Sequence, residues 1–109
     1  MNTHTDRLTL SDGASIRVRI ERGPTGDAML HEEYDRHPHG SAIYWRGNRL
    51  FLVWGQDREL LPIENPYFEF AETVEDAAET ALAFFASTAE NVITHAREHG
   101  IPVEACYAA

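Results

Sequence analysis

The chain has no lysine, and between Glu59 and Ala96 it has no cationic residue of any kind except histidine. All 9 cations are arginine. Cysteine is nearly absent too: Cys106 stands alone, so no disulfide can close within one copy, which fits a reducing, cytoplasmic setting. No apolar run approaches the roughly 20 residues needed to span a bilayer. The start, MNTHTDRLTL, is polar and does not read as a secretory signal. Gly-rich phosphate loops and a Gly-x-Ser-x-Gly elbow are missing. No motif identifies a reaction, so the expectation is a protein that is not an enzyme and uses no cofactor. Cys106 has no histidine near it in sequence to activate a thiolate, and reads as incidental.

The cation-free stretch holds eight carboxylates: Glu59, Glu64, Glu69, Glu72, Glu75, Asp76, Glu79 and Glu90. The net charge of −9 is therefore one-sided. Residues 1–58 carry eight Arg against eight Asp or Glu, and residues 59–109 carry one Arg, Arg97, against ten acids. Such a field repels nucleic acid and anionic membranes and attracts basic protein surfaces.

The 109 residues suit one domain with its own core, an α+β domain over 1–109. Residues 5–10 and 15–22 alternate in polarity around Asp12-Gly13, which signals a hairpin. Residues 41–46 and 49–54 flank Gly47-Asn48, the clearest hairpin in the chain. A two-residue turn there sets Trp45 opposite Leu50 and Tyr44 opposite Phe51. One face then carries Ile43, Trp45, Leu50, Leu52 and Trp54 as core. The other carries Ala42, Tyr44, Phe51 and Val53 beside Arg46 and Arg49. Met29, Leu30 and Tyr34 suggest a short helix over 27–36. Further strands are expected at 60–63, at 66–70 and, after the helix, at 103–107.

Thr73 to His99 reads as one long helix. Thr73 is its N-cap, an apolar stripe runs from Val74 to Ala96, and Gly100 with Pro102 stops it. Ser87 opens a second capping box that could break it. The expected fold is an antiparallel sheet of four to six strands with this helix packed on one face.

Three candidate sites follow. Glu72, Glu75, Asp76 and Glu79 sit where the helix dipole favours carboxylates. Glu59, Glu64 and Glu69 precede the helix and lack that explanation. Together the seven would form an acidic face that occupies the basic groove of a nucleic-acid-acting protein. The segment 31–39, HEEYDRHPH, offers His31, His37 and His39 to a metal, although its spacing matches no standard site and a polar surface loop explains it as well. The Tyr44, Phe51, Arg46 and Arg49 face has the composition of a protein interface, through which copies of the chain could pair. It also has the composition of a base-stacking sheet, against which the net charge argues.

The stretch Phe70-Ala71-Glu72-Thr73-Val74-Glu75-Asp76-Ala77-Ala78-Glu79 resembles the strand-to-helix step of HicB-type antitoxins, without the Pro-Asp-Leu-Pro-Gly segment that precedes the helix in that family. In size and acidity the chain is also similar to phage-encoded anti-defence proteins, anti-CRISPR proteins among them, and to toxin-immunity proteins. The resemblance implies a small inhibitor that works by protein–protein contact. The competing expectations are the metal-binding domain or enzyme and the homo-oligomeric accessory protein.

Overall fold

The computed structural model describes residues 3–38, 40–63 and 71–107. Six strands form one antiparallel sheet in which spatial order equals chain order. They are β1 (Thr3–Thr9), β2 (Ser15–Arg22), β3 (Ala28–Tyr34), β4 (Ala42–Arg46), β5 (Arg49–Trp54) and β6 (Glu59–Pro62). The helix α1 (Val74–His99) crosses one face of β1–β4, and a short α2 (Val103–Cys106) packs against α1.

The β4–β5 hairpin has the register that its Gly-Asn turn dictates, with Tyr44 opposite Phe51 and Trp45 opposite Leu50. Asn48 and Gly47 both take positive φ, at 70° and 60°, as a type I′ turn requires. Ile43 and Leu50 are buried, and Trp45 and Leu52 pack partly against the core. Trp54 departs from the expected core face. It is 60% exposed, because α1 packs mainly on β1–β4 and Trp54 ends the next strand.

The segment 27–36 is not a helix. Residues 28–34 form β3, which pairs with β2 along its whole length and with β4 over residues 28–31. A ten-residue helix is marginal alone, whereas two flanking strands complete the hydrogen bonding of this segment. The 103–107 strand is replaced by α2, a single turn entered from Pro102. The expected strand at 66–70 lies outside the described residues.

α1 runs unbroken for 26 residues, about 39 Å at 1.5 Å per residue. The Asp76 amide donates to Thr73 Oγ1 at 3.1 Å, capping the start. At Ser87 there is no break. The next hydroxyl, Thr88 Oγ1, donates to the Phe84 carbonyl one turn back at 3.0 Å. Gly100, with φ of 64°, ends the helix, and its amide and that of Ile101 cap the Arg97 and Ala96 carbonyls. Six of the ten buried α1 residues are alanine. Small side chains let the helix lie close on Ile16, Val18, Leu30 and Ile43, with Phe85 as its one large fully buried side chain.

Candidate interaction surfaces

Glu75, Asp76 and Glu79 are exposed on the first turns of α1, and Glu72, just before its cap, is exposed as well. Arg22, at the end of β2, reaches Glu75 with an Nη2–Oε1 distance of 3.1 Å. Both partners are more than half exposed, so the pair adds little stability but partly neutralises Glu75. Glu72, Asp76 and Glu79 have no ion-pair partner among the described residues. Glu90 lies farther along and accepts from Ser11 Oγ at 2.7 Å.

Glu59 stands apart from this group. The start of α1 is held at the β4–β5 turn, where Trp45 Nε1 donates to the Ala71 carbonyl at 2.8 Å and the Ala71 amide donates to Asn48. Glu59 pairs with Trp54 at the opposite end of β5, about 13 Å along the strand from Leu50. It is also on β6, beyond the strands that α1 covers. Glu64 and Glu69 lie outside the described residues. The acidic stretch is thus a helix-start cluster plus at least one carboxylate at a distance.

The opposite face of the sheet is free of helices among the described residues. Alternation places Arg7, Arg17, Arg19, Arg46 and Arg49 there, five of the nine arginines in the chain. Two like-charged pairs sit directly across strands, Arg7 opposite Arg17 and Arg46 opposite Arg49. Such pairs oppose folding. Between them lies the aromatic patch. The Tyr44 and Phe51 rings are 6.3 Å apart and tilted by 38°. Met29 is opposite Tyr44, and Val53 is opposite the exposed Leu60. The Tyr44 hydroxyl donates to Asp27, which lowers the Asp27 carboxyl pKa and raises that of the phenol. Among the described residues no helix covers this patch, and Tyr44 and Phe51 are half-buried and reachable.

The histidines point to separate partners. His31 Nε2 lies 2.9 Å from Glu21 Oε1, on the open sheet face. The His37 ring stacks on Tyr107 with centroids 4.5 Å apart. His39 lies outside the described residues. Among those described, no three His, Cys, Asp or Glu side chains converge on one point.

Glu32 escaped the sequence reading. It faces inward, opposite Val18, beside the carboxyl-terminal end of β3. Burial pushes its pKa up to about 7 against the pull of the Ser41 amide, which donates to Oε1 at 3.0 Å. Nearby, Tyr34 is buried, with its ring edge-on to Tyr107 at 5.7 Å between centroids. Burial, first of all, raises the pKa of this phenol too. A carboxylate inside an apolar pattern was the available signal, and it was hidden by the helical reading of 27–36.

No helix among the described residues is long and apolar enough to cross a membrane. The likeness of 70–79 to HicB-type antitoxins rests on those ten residues alone. Comparison with protein families, with curated proteins and with solved structures found no match to this chain.

Proposed function

We propose that this protein is a non-catalytic inhibitor or interaction protein that binds a basic protein surface through the exposed carboxylates at the start of α1. The supporting observation is charge segregation across the fold. The acids of 72–79 crowd the outer side of the helix, while the far side of the sheet carries five arginines that outnumber Glu21 and Glu33 among them. Ordinary surfaces mix the two signs. A negative ridge on a rigid helix suits the groove of a nucleic-acid-acting protein, where it replaces phosphates. The type of inhibitor is that of antitoxin, immunity or anti-CRISPR proteins. Steering by opposite charge speeds such association, and salt weakens it.

The test is titration of a basic nucleic-acid-binding domain, with displacement of its bound DNA as the readout, at low and high salt. Reversing Glu72, Asp76 and Glu79 together abolishes displacement on this reading. Retained affinity in that variant defeats it.

A second reading takes support from the open sheet face. Tyr44 and Phe51, framed by Arg46 and Arg49, have the composition of an interface centre. Copies of the chain pairing face to face would oppose Arg46 and Arg49 to their like, so a homodimer needs an offset. Light scattering across a concentration series decides: a monomer throughout removes self-pairing.

A further inference from the structure

A polar depression of about 480 Å³ opens where the outer surface of β1–β3 meets the turn after β3. That is within the ~300–1,000 Å³ typical of small-molecule sites. Arg7, Arg17 and Arg19 line it with Ser15, His31 and Glu33. Glu33 holds two of the arginines by the same end. Arg17 Nε is 2.7 Å from its Oε1 and Arg19 Nε is 3.6 Å from its Oε2. The terminal Nη groups of both, and the whole guanidinium of Arg7, have no acceptor among the described residues. One carboxylate thus splints two guanidinium groups side by side and leaves their donor-rich ends unused.

The other acids in and around the depression are already occupied. Asp35 Oδ2 accepts from the Ser15 amide and hydroxyl at 3.2 and 3.4 Å. Glu21 is bound to His31. Glu32 borders the depression, but its side chain turns to the inner side of the sheet, where its Oε1 accepts from the Ser41 amide. The like-charged Arg7/Arg17 pair costs stability in the free protein. An anion seated between the two would reverse the sign of that term.

We infer that this depression is a binding site for a small, multiply charged anion bearing phosphate or carboxylate groups, gripped by Arg7, Arg17 and Arg19. Guanidinium groups bind such anions through paired, charge-assisted hydrogen bonds. The site is independent of the acidic helix face.

Isothermal titration of the full chain with pyrophosphate and, separately, with citrate tests this, and the tighter probe identifies the anion class. The expectation is saturable binding at one site per chain, weakened about tenfold or more in Arg7→Gln and in Arg19→Gln, since each charge-assisted bond is worth about a factor of ten. Arg97→Gln, the same charge change at an exposed α1 position outside the depression, should bind as the parent does. Melting curves establish that each variant is folded. Absence of saturable binding by both probes overturns the site. So does equal weakening by Arg97→Gln, which would mark the effect as diffuse charge.

Discussion

Replacing Glu32 with Gln should stabilise the protein above neutral pH and do nothing in acid. The side chain faces the core opposite Val18, and burial raises its pKa from 4.5 to about 7. The folded protein therefore holds this proton more tightly than the unfolded chain does. Protonation favours folding, so this group's contribution is most favourable below pH 4.5 and is lost as pH rises through about 7. A shift of that size corresponds to at most about 3.5 kcal/mol, at roughly 1.4 kcal/mol per unit. Residual contact with water reduces it to about 1–3 kcal/mol. Gln keeps the carbonyl oxygen that the Ser41 amide donates to, and carries no charge to desolvate. Thermal melts of parent and variant between about pH 4 and pH 8 isolate this one group, because other titrating carboxylates cancel in the difference. The variant should melt about 4–12 °C higher at pH 8, given roughly 4 °C per kcal/mol at this size. The two curves should converge near pH 4.5. A variant less stable at pH 8, or a gap that does not change with pH, refutes the reasoning.

Other outcomes follow from the packing. Phe85→Ala removes the largest fully buried side chain and should cost about 3–5 kcal/mol by urea denaturation; a loss under about 1 kcal/mol would mean that α1 does not clamp the sheet. Thr73→Ala deletes the helix cap and should cost about 1 kcal/mol, with serine restoring most of it. Trp45→Phe removes the indole donor to the Ala71 carbonyl and should cost about 1–2 kcal/mol; hydrogen exchange should then speed up first at Ala77, whose amide bonds Thr73 at the start of α1.

Turn chemistry and long-range periodicity carried most of the fold. Gly47-Asn48 set the β4–β5 register residue by residue, and the stripe from Val74 to Ala96 with Thr73 and Gly100 bounded α1 within a residue. β3 was misread for a physical reason. Its inward residues are Ala28, Leu30, Glu32 and Tyr34, so a carboxylate breaks the two-residue alternation and leaves Met29, Leu30 and Tyr34 at helical spacing. α2 is too short for periodicity to tell a turn of helix from a strand. Trp54 follows the inward alternation, but only tertiary placement reveals that the helix stops short of it. The candidate surfaces divide in the same way. The excess of acid is plain in the residues, and so is the outward set of Arg17 and Arg19. The distance of Glu59 from α1 and the meeting of Arg7 with Arg17 depend on register across strands, which composition does not encode.

The neighbour-to-neighbour order of the strands has a consequence during synthesis. Each strand can pair with the one just completed, so the sheet grows by hairpins that need little chain closure. Its cover comes last, from a helix that begins twelve residues after β6 ends and lies back over β1–β4. Until the ribosome releases that helix, Ile16, Val18, Leu30 and Ile43 face water on a nearly finished sheet. A nascent chain stalled after β6 should therefore be a ligand for chaperones and a seed for aggregation, and the emergence of α1 should end both.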